Sequence, residues 1–598
     1  VIAAPDPVIL ADDALSRGDN LEAYDIAMSA REEGIKTPRL AYIATLALAR
    51  MGDTNMALDH YEQTGLGAID DDDILALWGR LKKDLAETAK PADRAGLFAE
   101  ASKAYREVYE HRPSYYTGIN AATTALLAGD REAAEELAEQ ILKDPEVVKP
   151  KGFYATATAA EANVLLNRSA DAFSAISAAI SWSDASVGSK ASTFRQMMLI
   201  AKVVPDMAEA IAPLLEVLRP APVLVYTGHM FVAEAKTETI LTERIEVALD
   251  ELTPDTAYGA LACGSDILIA EAILRRGLEL HVVLPFERGD FVEQSVRTGG
   301  DAWIERFEQC MDRATSVSFA TDMSFIGDPN MFNYGSAVAM GLARMRARHL
   351  RTSAVQLAVA KAQSGVNAAG TNNDVSIWEK LGHHSHIIDP GDINRDLNRA
   401  PEIEMPENVT RVAYSMIFGD FAGFSKLSEA ALPVFATEIL GKAGAVLDQF
   451  GDKILYRNSW GDAIYAVVST PTDAAEIVLQ LQRRLNDVPD ILSEAAGSNC
   501  GMRIGLHHGP IYRGYDAVMM RTTFFGTEVT RTARIEPVTP TGEVYATEAF
   551  AAVLALEPEQ RFWTHYVGRV QLAKNYGELA MYKLSPRTPH EEEVAPRV

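Results

Sequence analysis

Three cysteines in 598 residues, Cys263, Cys310 and Cys500, are too few and too scattered for a disulfide framework or a thiolate zinc site, which fits a reducing compartment. No uncharged apolar run approaches the ~20 residues needed to span a bilayer, so no membrane span is predicted. Positive charge is also short. Lys and Arg number 56 against 83 Asp and Glu, a formal net charge of −27. Proteins that coat nucleic acid need broad basic surfaces to displace counterions from phosphates, which excludes that class. An acidic chain still takes an anionic nucleotide through a metal or a local cationic pocket. The chain opens at Val1 without a basic-then-apolar leader, and the expectation is a cytoplasmic protein. Its 48% hydrophobic and 23% charged content is ordinary for globular structure. The length predicts three to five domains of ~100–200 residues each.

Residues 1–215 read as successive Ala-rich helices with a 3.6-residue apolar period. Gly18-Asp19 recurs 34 residues on as Gly52-Asp53, and Ala23 recurs as Ala57 at the same offset. Ala104, Ala138 and Ala172 are again spaced by 34, with a Gly129-Asp130 turn before the second of them. That period, with small residues where paired helices touch, resembles the tetratricopeptide repeat, although its full aromatic pattern is missing and a generic helical array is the alternative. Such stacks present a concave surface, so a protein partner is the expectation here.

Residues 220–390 change character. Buried-strand runs at Val223–Tyr226, Tyr258–Ala262 and Leu280–Pro285 alternate with helical stretches, which predicts a parallel, doubly wound sheet. Small residues follow the strands at Thr227-Gly228-His229 and Cys263-Gly264-Ser265-Asp266, where main-chain amides and a helix N-terminus can approach a phosphate. With Gly370-Thr371, Asp374 and Trp378 near its end, the segment resembles the SLOG superfamily of Rossmann-like domains, which implies a nucleotide-derived ligand. A structural tight turn is the plainer reading of the same residues. His383, His384 and His386 lie close together without carboxylates or cysteines at ligand spacing, and read as a solvated loop.

A polar, Pro-bearing stretch at 391–408 reads as a linker, 409–586 as a further domain and 587–598 as a tail. The domain starts with a buried strand, Arg411 to Asp420, that ends in an acid and runs into the small-residue turn Phe421-Ala422-Gly423-Phe424-Ser425. An acid there can hold a cation while turn amides hold phosphate oxygens. Asp448 to Val468 reads as a β-hairpin with Gly461-Asp462 at its tip. Laid beside the first strand, it would bring Asp462 to Asp420, and two converging carboxylates suit a two-metal phosphoryl displacement.

Four blocks in order, Phe418 to Ser425, Gly461-Asp462, Arg503 to Pro510 and Phe525 to Glu536, resemble the class III nucleotidyl cyclase catalytic domain. The resemblance implies an α+β, ferredoxin-like domain working as a homodimer with active sites between subunits. It implies an NTP substrate and two Mg²⁺ or Mn²⁺ ions held by Asp420, Asp462 and the Phe421 carbonyl. Ala422, Gly423, Phe424 and Ser425 would bind phosphate, and Lys574 the triphosphate. Arg534 would stabilise charge at the α-phosphate, and Thr530, four residues earlier on the same helix face, would stand opposite the ribose. Both would come from the opposite subunit.

The chain departs from the family at three positions. Thr530 stands where an asparagine is usual, and its hydroxyl reaches less far than a carboxamide. The base-reading position holds Asn458, where adenylate enzymes have Lys and guanylate enzymes Glu. Its partner position is read as Thr527, which favours ATP. Trp460 reads as a packing residue, with stacking on a base as the alternative. These losses leave a competing reading, a catalytically degenerate, nucleotide-binding scaffold. Retention of both acids, the arginine and the lysine favours the enzyme, with the two preceding domains as its regulatory inputs.

Overall fold

The computed structural model describes residues 6–361, 370–398, 410–496 and 500–587. It divides into two compact units, one of residues up to Pro220 with Arg348–Thr352, the other of Ala221–Ala347 with Ser353–Arg587. Among the described residues no helix is long and apolar enough to cross a membrane.

The first unit is built of antiparallel helix pairs, among them Pro7–Arg17 with Asn20–Glu32, Pro38–Met51 with Thr54–Gln63 and Tyr115–Ala128 with Arg131–Ile141. The Gly-Asp repeat marks the turn inside each of these pairs. Gly18, Gly52 and Gly129 close the first helix in the left-handed region (φ +82°, +93° and +96°). Only glycine takes that conformation without cost. The following aspartate stands at the N-cap of the second helix, and Asp19 and Asp130 accept from the main-chain N–H groups of Glu22 and Ala133. Ala23, Ala57, Ala138 and Ala172 are wholly buried, which lets the helices approach closely. Ala104 is only half-buried. Its helix runs through 21 residues, Pro91–His111, and turns Ala101 and Tyr105 inward instead.

The second unit contains two sheets. The first comprises β1 (Val223–Gly228), β2 (Thr256–Gly259), β3 (Glu279–Leu284), β4 (Ser316–Phe319), β5 (Ala354–Val359) and β6 (Ser385–Ile388). All pairings are parallel, in the order β4-β3-β2-β1-β5-β6. The chain winds from β1 outward to β4, then crosses to β5 on the other side of β1. In open α/β sheets the crevice at such a reversal is where ligands bind. A cavity of about 840 Å³ opens there, lined by Gly228, His229, Asp266, Ser336, Thr371 and Asp374 among others. Residues 391–398, read as linker, pack on this domain: Ile393 and Leu397 cover its core, and Asn394 and Asn398 pair with Val232 and Thr298 through main-chain hydrogen bonds. Residues 399–408 and the tail from 588 lie outside the described residues.

The second sheet holds β7 (Thr410–Ala422), β8 (Ile454–Trp460), β9 (Ala463–Val468), β10 (Gly501–Asp516), β11 (Arg521–Phe525), β12 (Val544–Thr547), β13 (Phe562–Gln571) and β14 (Glu578–Pro586). Their order is β13-β14-β12-β10-β7-β9-β8, with β11 folded back on β10. Alternation along β7 separates two cores. Ile417 faces the layer containing helix Pro471–Leu485, and Met416 faces Val467, Ile511 and Phe524. Helix Thr527–Ile535 packs on β7 and β10. Asp448, expected to begin the hairpin, instead ends helix Lys442–Asp448; strand pairing starts at Ile454.

Candidate functional site

β7 lies between β9 and β10, and register decides which side chains meet at its end. Gly419 pairs with Ile464 on β9, so the Gly461-Asp462 turn preceding β9 lies beside Asp420 and Phe421. Gly461 makes that turn in the left-handed region (φ +66°). On the other flank Asp420 pairs with Arg503 of β10, whose Nη2 donates to Asp420 Oδ2 at 2.8 Å and lies 2.7 Å from Glu536 Oε1. One guanidinium therefore bridges two carboxylates, and its charge reaches Asp462 as well. The imbalance is visible in their acidity. Burial, followed by the charge of Asp420, pushes the Asp462 carboxyl up to about 6 and the Glu536 carboxyl up to about 7.

A cluster of oxygen donors short of positive charge fits a hard divalent cation. Among the described residues no group of three or more His, Cys, Asp or Glu side chains is placed to hold a metal ion. Asp420 and Asp462 would thus need main-chain, phosphate or water oxygens to complete a coordination shell. Phe421, next to Asp420, is buried against Phe435, which fixes its main chain. Gly423 follows in the left-handed region (φ +94°), and a Cβ there would lie 2.8 Å from that of Ala496. The turn Phe424–Lys426 is closed by Lys426 N–H donating to the Gly423 carbonyl at 3.0 Å.

Helix Thr527–Ile535 sorts its side chains by face. Thr530 is exposed and Arg534 half-buried, and among the described residues neither is assigned a side-chain hydrogen bond or ion pair. Glu528 and Arg531 face inward. Glu528 is fully buried, with Arg531 Nη1 at 2.6 Å, His507 Nε2 at 2.9 Å and the Thr321 hydroxyl donating to it. Burial alone would raise its pKa; His507 and Arg531 hold it down at about 2. Thr321 belongs to the loop after β4. From the same loop Asp322 pairs with Arg531 at 2.7 Å, and Asp328 takes both sides of the buried Arg411 guanidinium, at 2.6 and 2.7 Å. Tyr334, just beyond, donates to the His508 carbonyl at 2.8 Å. The loop thus clamps one domain to the other through buried, charge-assisted bonds. Sequence reading missed these residues, since each pair is separated by 80 or more positions and no local period marks it.

The remaining expected residues divide. Lys574 is exposed on the turn between β13 and β14, itself in the left-handed region (φ +62°), and that turn packs beside helix Thr527–Ile535. Asn458 on β8 receives its hydrogen bond from Arg521, at 3.1 Å. Thr527 opens its helix exposed and takes no part in that bond. Trp460 is 86% exposed, so packing within this chain does not explain it.

Residues 407–586 match the adenylate and guanylate cyclase catalytic domain, and residues 19–127 the Tetratricopeptide Repeats-Sensor family. The C-terminal domain is a class III nucleotidyl cyclase catalytic domain, preceded by tetratricopeptide-type sensor repeats. Solved structures similar to it include the guanylate cyclase domain of RhGC from Catenaria anguillulae in complex with GTP, 18% identical, covering 29% of this chain and 97% of that one (TM-score 0.25). The adenylyl cyclase CyaB from P. aeruginosa is 16% identical over 30% of this chain and 98% of its own (TM-score 0.26). Adenylate cyclases from Trypanosoma brucei in their monomeric state show 19% identity over 31% of this chain and 91% of their own (TM-score 0.23). No curated protein matches the chain.

Proposed function

We propose that the C-terminal domain converts a nucleoside triphosphate, ATP in preference, into a 3′,5′-cyclic nucleotide and pyrophosphate, in active sites shared between two copies of the chain. The convergence of Asp420 and Asp462 beside Arg503 carries this reading. Asp420, Asp462 and the Phe421 carbonyl would hold two Mg²⁺ or Mn²⁺ ions, whose chemistry is to acidify the ribose 3′-hydroxyl and neutralise the triphosphate. The chain supplies the rest. Arg534, unengaged by other side chains among the described residues, offers its fixed fork to the charge that develops at the α-phosphate. Thr530, one turn earlier, orients the ribose, with a slower turnover than a longer amide would give. Lys574 and the turn at Ala422–Ser425 hold the leaving phosphates. The 3′-oxygen bonds to the α-phosphorus, the bond to pyrophosphate breaks and the hydroxyl proton passes to water.

A second copy is supported by apolar surface on two hairpins of this sheet. Tyr515, Val518 and Met520 are 67–90% exposed around the β10–β11 turn, with Trp460 exposed on the β8–β9 hairpin. In the SLOG-like middle domain, the cavity between β1 and β5 would take a nucleotide-derived ligand. Its loop 320–329 both lines the cavity, at Phe325, Gly327 and Pro329, and grips Glu528, Arg531 and Arg411. Occupancy that moves the loop would shift the helix bearing Thr530 and Arg534. The N-terminal repeats would bind a protein partner.

The test is incubation of the purified chain with each of the four NTPs and Mn²⁺. Cyclic AMP from the parent chain that vanishes in Asp420→Ala supports the reading. No cyclic product from any NTP overturns it and leaves a nucleotide-binding scaffold.

A further inference from the structure

Helix Thr527–Ile535 is nine residues long, and no side chain caps its start at Gly526. A helix that short takes its orientation from what packs on it rather than from its own propensity. Thr530 and Arg534 stand one turn apart on its outward face, so the inward side chains Glu528 and Arg531 fix the direction in which they point.

Those two inward side chains are held mainly from outside the cyclase domain. Among the described residues that domain offers the pair one polar partner, His507, 2.9 Å from Glu528. The middle domain offers two, the Thr321 hydroxyl on Glu528 and Asp322 Oδ1 at 2.7 Å from Arg531 Nη2. The other arm of the same guanidinium, Nη1, lies 2.6 Å from Glu528 Oε2. A planar fork held at both ends by carboxylates is fixed in rotation as well as in place. The loop that supplies Asp322 is itself anchored. Met323 N–H donates to the Thr321 hydroxyl at 3.3 Å, Phe325 N–H to Asp290 Oδ2 at 2.8 Å, and the Ser324 carbonyl accepts from Arg411 at 3.2 Å. Arg531 is 9% exposed, whereas the Asp322 side chain is 71% exposed. Removing that carboxylate therefore opens no core and leaves Arg531 paired with Glu528.

We infer that Asp322 of the middle domain is a positioning residue for the cyclisation step, acting through Arg531 to set the rotation of helix Thr527–Ile535 and with it the aim of Arg534. The inference rests on the cyclase reading above and needs no ligand in the cavity. Its test is a double-mutant cycle on kcat in the full chain with ATP and Mn²⁺. Asp322→Ala lowers kcat about tenfold, as misplacing a group that stabilises the transition state does. In an Arg534→Ala background the same substitution costs about threefold or less, because the group it aims is gone. An aspartate that merely supports the fold would cost the same factor in both backgrounds. That additive loss, or an Asp322→Ala variant within about threefold of the parent, overturns the inference. A parent chain that cyclises no NTP refutes the cyclase reading instead. In that case, or where Arg534→Ala turns over too slowly to measure, amide hydrogen exchange decides. Faster exchange confined to residues 527–535 in Asp322→Ala sustains the hold on the helix, and unchanged or chain-wide exchange overturns it.

Discussion

The second unit contains two pairs of acids, one at a strand end and a hairpin turn and the other at helix starts, and they differ in what surrounds them. Asp420 and Asp462 are half-buried and stand beside a turn of small residues, and Asp420 shares Arg503 with Glu536. Asp266 and Asp374 are 7% and 5% exposed, lie near the starts of the helices Ser265–Arg275 and Thr371–Lys380, and have no arginine bonded to them among the described residues. One oxygen of each, Oδ1, has no hydrogen-bond partner among the described residues, and both residues line the cavity. Asp374 and Asp462 are pushed up to the same value, about 6, for different reasons. For Asp462, burial is joined by the neighbouring Asp420 charge. For Asp374, burial acts alone against the hydroxyls of Thr227 and Ser336. A carboxyl raised by another carboxyl is relieved by a cation, whereas one raised by desolvation is relieved by a proton or a neutral donor. Equal acidity thus marks two different kinds of pocket.

Replacing the first pair tests that distinction with the largest effect. Asp420→Ala or Asp462→Ala, or chelation of divalent ions by EDTA, should lower cyclic nucleotide formation by about a thousandfold, measured as product against time, because several kcal/mol of charge stabilisation are lost. Mn²⁺ should restore the chelated parent and not the variants.

Glu528 joins the two regions and comes next. Glu528→Ala leaves Arg531 and His507 facing each other in a buried site, and should destabilise the second unit by about 3–5 kcal/mol in chemical denaturation. Thr321→Val removes a single hydroxyl from the same carboxylate and should cost about 1 kcal/mol. If the loop transmits a signal, the milder variant will also change turnover.

Asp374 tests the second pair directly, through its dependence on pH. Its folded value of about 6 lies above the ordinary 3.8. The folded state therefore binds the extra proton, and its stability declines as pH rises from about 4 to about 6, with the full cost present above that. Asp374→Asn should gain about 3 kcal/mol at pH 8 and roughly half of that at pH 5 in thermal or urea unfolding. A gain independent of pH would place the cost in packing rather than in charge.

Local patterns were readable and long-range ones were not. The Gly-Asp dipeptides could be read because cap and turn need particular residues at adjacent positions. Asp420 and Asp462 could be read because a strand end and a hairpin tip each leave a local mark. The alternation of strands and helices announced the parallel sheet. Arg503 and Glu536 stood inside the recognisable blocks, yet their pairing needed the β7–β10 register. Arg521 carries no mark at all, since its bond to Asn458 depends on an arm that folds back over β8. Ala104 slipped because helix length, which period alone does not fix, changed the buried face. Arg411 read as an ordinary strand start, and only the docking of Asp328 explains a fully buried guanidinium there.

Trp460 closes the strand before the Gly461-Asp462 turn and lies in water, while Trp303 and Trp378 are fully enclosed. Indole emission shifts toward the blue and brightens when the ring leaves water. The molecule therefore carries an intrinsic optical reporter two residues from one of its key acids. Its emission, separated from that of the other tryptophans by a Trp460→Phe control, would follow assembly or ion loading at that hairpin without any attached dye.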